Sequence, residues 1–154
     1  MPDSPLHGVH HYPVRVYFED TDAGGMAYHA NFLRWAERAR TESLRELGLP
    51  HQEMMERHNS LLVVRRIEVE YWRPARLDDS LMVETTVLRV TGAQVLLDQT
   101  VREHGENAAG ERIAGLKVGL VSVDRVSLRP VPLPEPWRSV LRGLVRPAAA
   151  GRAG

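Results

Sequence analysis

The chain is predicted to be an α+β domain in which a five-stranded antiparallel sheet covers one long helix. Three observations lead there. Apolar residues recur at three- and four-residue steps only once over a long span, from about Tyr28 to Leu47, while most of the remainder alternates with the period of two that marks half-buried strands. The breaks between the later strand-like runs are short, and short connections join antiparallel neighbours, because parallel ones need crossovers of about a dozen residues or more. Finally, 154 residues suit a single domain, which at that size withdraws roughly 68–70% of its unfolded surface from water.

The elements follow in order. After a lead-in containing Pro and His, Val14, Val16 and Phe18 alternate with Arg15, Tyr17 and Glu19, which predicts a first strand. The long helix is marked by Phe32, Leu33, Ala36, Ala39, Leu44 and Leu47, and Gly48 with Pro50 supplies its stop. HQEMMERHN predicts a short second helix. Strands are expected at about 61–72, 80–90, 94–103 and 112–123, separated by RPARLDD, VTGAQ and HGENAAGE. The last four strands should form a meander, with the first strand joining the same sheet. Residues 1–130 then constitute the domain and its lead-in. Residues 131–154, rich in Pro, Ala, Arg and Gly, form a C-terminal extension expected to be partly disordered, with a turn or two of helix around PEPWRSVLRGL.

Composition removes several function classes. Lys plus Arg and Asp plus Glu both number 20, so no global field draws the chain to nucleic acid or anionic lipid. The absence of cysteine excludes disulfides, thiolate zinc sites and thiol nucleophiles, and fits a cytoplasmic protein. MPDSPLHGVHHYP has no apolar core of the secretory kind, and no run approaches the ~18 apolar residues of a membrane span. The expectation is a cytoplasmic protein with no nucleic-acid partner and no stable membrane insertion.

Chemistry concentrates in EDTDAGGMAYHANF, residues 19–32, between the first strand and the long helix. The chain has no Gly-x-Ser-x-Gly elbow, phosphate-binding glycine loop or His-Glu-x-x-His motif. A calcium loop beginning at Asp20 would need a side-chain oxygen where Gly24 stands and a bidentate carboxylate where Asn31 stands, so no metal is assigned. What remains is Asp22, held before His29 across Gly24 and Gly25 at the opening of a helix. The first amides of a helix lack intrahelical partners and carry the positive end of its dipole, so they can hold negative charge developing on a carbonyl oxygen. Glycines there let backbone and substrate approach closely. A carboxylate before a helix is also a common cap or Asx turn, and spacing alone leaves both readings open.

Two stretches carry a resemblance: VRVYFEDTDAGGMAYHANFLRWAERARTESLREL and VVRRIEVEYWRPARLDD. They resemble the hotdog-fold acyl-CoA thioesterases, in particular the 4-hydroxybenzoyl-CoA thioesterase family and its bacterial Tol-Pal-associated branch, and the likeness spans about residues 12–130. It implies a hotdog fold, homodimers or homotetramers with active sites at the dimer interface, and hydrolysis of an acyl-CoA, or an acyl carrier protein thioester, without a cofactor. By position Asp22 becomes the catalytic nucleophile or general base. The His29 amide polarises the thioester carbonyl, and the His29 side chain orients the acyl group or water. Tyr17, Gly25 and Tyr28 are the substrate-binding candidates in and beside the loop, and Arg65 and Arg89 are those for the phosphates of CoA. Phe18 stands where relatives often have a tyrosine, and GMAYH replaces a bulkier β-branched segment. The competing expectation is a non-catalytic acyl-thioester-binding or scaffolding protein of the Tol-Pal machinery.

The other conspicuous residues read as structural. Glu37 is expected to pair with Arg40 or Thr41, and Arg38 with Glu42, at helical spacing. His7, His10 and His11 precede the expected first strand and are given no ligand role. Asp78 and Asp79 belong to a turn, and Trp35 and Trp72 to packing or an interface.

Overall fold

The computed structural model describes residues 8–105 and 109–146. Its strands are β1 (Val9–Arg15), β2 (Ser60–Tyr71), β3 (Ser80–Val90), β4 (Gln94–His104) and β5 (Ala109–Asp124), and its helices are α1 (Asn31–Glu46), α2 (His51–His58) and α3 (Trp137–Gly143). All strand pairs are antiparallel, in the order β1-β3-β4-β5-β2. Phe32, Trp35, Ala36, Ala39 and Leu44 form the buried stripe of α1 and join Leu81, Val83, Val101, Ile113, Leu116 and Val118 of the sheet in one core. Each large side chain so buried contributes about 1.5–3 kcal/mol. Alternation along β3, with Leu81, Val83, Thr85 and Val87 buried, fixes which face meets the helix.

The expected meander holds for β3, β4 and β5 but not for β2, which pairs with β5 at the far edge. A sheet curled around a single helix brings its two ends towards each other, so the 72–79 connection crosses the open end instead of turning a hairpin. Its polar backbone is satisfied there: the Ala27 amide donates to the Ala75 carbonyl at 2.7 Å, Asp78 N–H to Val16 O at 2.9 Å, and Val16 N–H to Asp79 O at 2.9 Å.

The first strand lies earlier than its alternation suggested. β1 ends at Arg15, and Phe18–Asp20 is a 3₁₀ turn, because Val16 is already engaged by the crossing connection and Tyr17 N–H donates to Asp20 Oδ2 at 2.8 Å. His10 and His11 therefore lie within β1, against Glu46 and Glu84 at 2.7 and 3.4 Å respectively; His7 lies outside the described residues. Glu42 pairs with Arg45 rather than with Arg38.

Beyond residue 130 the chain contributes Leu133, Trp137 and Leu141 to the core, and the indole N–H of Trp137 donates to Leu49 O at 3.0 Å. Residues 147–154, the part of the expected extension nearest the end, lie outside the described residues. A Trp137→Ala variant removes both packing and hydrogen bond. It is expected to lose about 3–5 kcal/mol of stability, read as a lower denaturant midpoint.

Candidate active site

The loop before α1 is built around the main chain of Asp20. Its carbonyl accepts both the Tyr28 amide and Asn31 Nδ2, each at 2.8 Å, tying the outgoing arm of the loop to the start of the helix. Thr21 bridges Ala27, and Met26 bridges Arg76 of the crossing connection. The loop is thereby pinned on two sides, although Asp22, Ala23, Gly24 and Gly25 at its tip are solvent-exposed.

Asp22 occupies that tip. Its N–H donates to Met26 O at 2.8 Å, its carbonyl accepts from Gly25 N–H at 3.0 Å, and its Oδ1 accepts the Gly24 amide at 2.9 Å. This is an Asx turn, the structural reading the spacing had left open. The turn consumes one carboxylate oxygen only; Oδ2 has no hydrogen-bond partner among the described residues. The geometry requires glycine at position 25 and favours it at 24. Gly25 sits at φ +75°, and a Cβ on Gly24 would stand 3.3 Å from Asp22 Oδ1.

Across the loop, the main-chain N–H groups of His29 and Ala30 meet no protein acceptor among the described residues, whereas Asn31, Phe32 and Leu33 donate to the carbonyls three residues back. Unpaired donors at the start of a sixteen-residue helix suit an oxyanion. Tyr71 of β2 holds this end in place. Its hydroxyl donates to His29 O at 3.0 Å, and its ring meets Phe32 edge-on at 5.5 Å. Partial burial pushes the Tyr71 phenol up, which keeps it a donor.

Asp22, Gly25, Tyr28 and His29 share the loop before α1, and the Tyr28 ring lies 4.5 Å from the His29 ring. Tyr17 is exposed beside the 3₁₀ turn. Arg65 and Arg89 lie elsewhere within one chain. Arg65 is the extra residue of a β2 bulge, six residues or roughly 20 Å along the strand from Tyr71, and Arg89 is near the far end of β3. Sequence reasoning missed Asn31 and Tyr71. Asn31 carried a faint signal as a polar residue on the buried side of the helix; Tyr71 carried none, being 42 residues from its partner.

An antiparallel sheet curled around a single buried helix, with a carboxylate and free helix-start amides at its open end, defines a class, and comparison with known proteins agrees. The sequence profile of the Thioesterase-like superfamily matches residues 16–141, and the chain belongs to that superfamily of hotdog-fold thioester hydrolases. It is 41% identical over 133 residues to the acyl-CoA thioesterase YbgC of Haemophilus influenzae, covering 86% of this chain and 94% of that protein. The acyl-CoA thioester hydrolase YbgC of Escherichia coli O157:H7 is 40% identical, over 80% of this chain and 89% of its own length. Among solved structures, a probable thioesterase from Bartonella henselae superposes with a TM-score of 0.74 at 32% identity, covering 82% of this chain and 99% of that one.

Two outcomes follow from the loop geometry. Gly25→Ala places a Cβ in the left-handed region and should cost about 1–2 kcal/mol, measurable by chemical denaturation. Tyr71→Phe should lose about 0.5–1.5 kcal/mol of stability, and its turnover should fall while the far end of the sheet keeps its hydrogen-exchange protection.

Proposed function

We propose that this protein hydrolyses acyl-CoA thioesters to a carboxylic acid and CoA, with Asp22 as nucleophile or general base and the His29 and Ala30 amides as the oxyanion site. The observation that carries the reading is the division of labour within one carboxylate. Oδ1 fixes the turn, Oδ2 is left without a hydrogen-bond partner among the described residues, and the unpaired His29 and Ala30 amides follow a few residues on in the same loop.

As a base, Asp22 takes a proton from water as the oxygen of that water bonds to the thioester carbon. The electron pair of the carbonyl moves onto its oxygen, where the helix-start N–H groups receive the charge. When the C–S bond breaks, the pair returns, and the sulfur leaves with the proton Asp22 had taken. As a nucleophile, Asp22 bonds to the carbon itself, the thiolate leaves, and water then cleaves the resulting anhydride. Label appearing in Asp22 after single turnover in ¹⁸O-water identifies the anhydride route, with water cleaving at the Asp22 carbon, because direct attack by water on the thioester carbon never labels the enzyme. The His29 ring, turned by Tyr28, borders the acyl group or the water.

The exposed Tyr17, Phe18, Tyr28 and Tyr71 are, in this reading, covered by a second copy of the chain, and Arg65 or Arg89 reaches the phosphates of CoA only when that copy presents it. The relatives named for acyl-CoA support CoA over a carrier protein as the thiol. Acyl-CoA is a cytoplasmic metabolite, and the reading places the enzyme with it.

Asp22→Asn tests the assignment cleanly. The Asn Oδ1 still accepts the Gly24 amide, so the fold and melting temperature should be unchanged while thiol release across a panel of acyl-CoAs falls about 10²–10⁴-fold. Normal turnover by this variant would overturn the reading.

A further inference from the structure

A cavity of about 350 Å³ lies between the C-terminal half of α1 and the sheet, at the end opposite the Asp22 loop. Its walls are mainly apolar, with Leu44 from α1, Leu47 just beyond its end, Leu62 from β2, Val87 from β3, Leu97 from β4 and Leu141 from α3. The volume is at the lower end of the range for small-molecule sites, roughly 300–1,000 Å³. Arg40, on its lining, lies eleven residues or roughly 16 Å along the helix from His29.

Arg40 is unusual on its own terms. It is 7% exposed, yet among the described residues no carboxylate lies within ion-pair distance of it. Buried charges are ordinarily paired in contact; here burial lowers the Arg40 pKa and Glu37, acting from beyond ion-pair distance, only partly opposes it. Only Nη1 is engaged, donating to Gln99 Oε1 at 3.0 Å, and that acceptor is fixed because Gln99 Nε2 donates to Ala36 O and Thr85 Oγ1, each at 2.9 Å. Nε and Nη2 have no partner among the described residues. His51 lines the same space, and burial first, then the Arg40 charge, lower its pKa; Arg45 adds to the effect and Glu37 opposes it. A second polar group on the lining, His10, has a buried Nδ1 without a partner among the described residues.

We propose that this cavity is a second ligand site, separate from the Asp22 loop, for an apolar monocarboxylate whose head group is held by Arg40 and whose chain lies among the leucines and valines. A carboxylate matches the open edge of one guanidinium group and supplies the contact partner that Glu37, acting only from a distance, does not. One cation, with Glu37 also on the lining, suits a monoanion and disfavours a phosphate dianion. The site does not depend on the catalytic assignment. Where that assignment also holds, the guest belongs to the chemical class that hydrolysis releases.

The test is titration of the full chain with decanoate, 1-decanol and decyl phosphate, followed by calorimetry and by NMR of the Gln99 side-chain amide, the Arg40 Nε–H and the Gly24 and Gly25 amides. Decanoate should bind one per chain and shift the Gln99 and Arg40 signals, with equal affinity in Asp22→Asn. Decanol should bind at least tenfold more weakly. Arg40→Met should weaken decanoate roughly tenfold or more, with Arg40→Lys between. Leu62→Trp, which narrows the cavity without touching Arg40, should also abolish the Gln99 shift, so the proposal stays testable should Arg40→Met not fold. The proposal fails if decanoate leaves Gln99 and Arg40 unshifted, if Arg40→Met binds it as well as the unaltered chain, or if decanol or decyl phosphate binds as tightly.

Discussion

The constraint on which this molecule depends is that one helix must hide its apolar stripe inside one sheet. Phe32, Trp35, Ala36, Ala39 and Leu44 can leave water together only if the strands curl around α1. The curl explains the departure from a simple meander, since β2 can reach the far edge only when the two ends of the sheet approach. It also creates a shelf. The connection that crosses the open end offers Ala75 and Arg76 to Ala27 and Met26, and the Asp22 loop is fastened there.

That fastening explains how an exposed carboxylate is held in one place while one of its oxygens stays unpaired. An isolated loop tip would lose precision to backbone freedom. Here Asp20 gathers two donors on a single carbonyl, Tyr71 clamps the helix start from 42 residues away, and one oxygen of Asp22 is spent on its own turn. The remaining oxygen and the free amides then sit on rigid supports, a requirement for electrostatic preorganisation.

Much of this was legible in the chain itself. β2, β3 and β4 fall within a residue of their expected bounds because periodicity and turn chemistry are local properties. The Asp22 loop was legible because its carboxylate, glycines and helix start are contiguous. Local pattern misjudged what distant partners decide. Phe18 continues an alternation but lies in a 3₁₀ turn, because Val16 is captured by residues 78 and 79. Trp137, in a stretch that composition marked as weakly ordered, is buried, with its indole N–H on Leu49 O and its ring edge-on to His58. Arg40 looked like the helical neighbour of Glu37, and its bond to Gln99 spans 59 residues.

The placement of α3 has an evolutionary consequence. Leu141 and Leu144 close one side of the internal cavity from a segment that adds no strand to the sheet. Mutational drift in that tail can therefore reshape the cavity while the Asp22 loop, anchored at the opposite end of α1, is left alone. Lineages can vary the volume and lining of this cavity without disturbing the hydrogen bonds that hold the loop before α1.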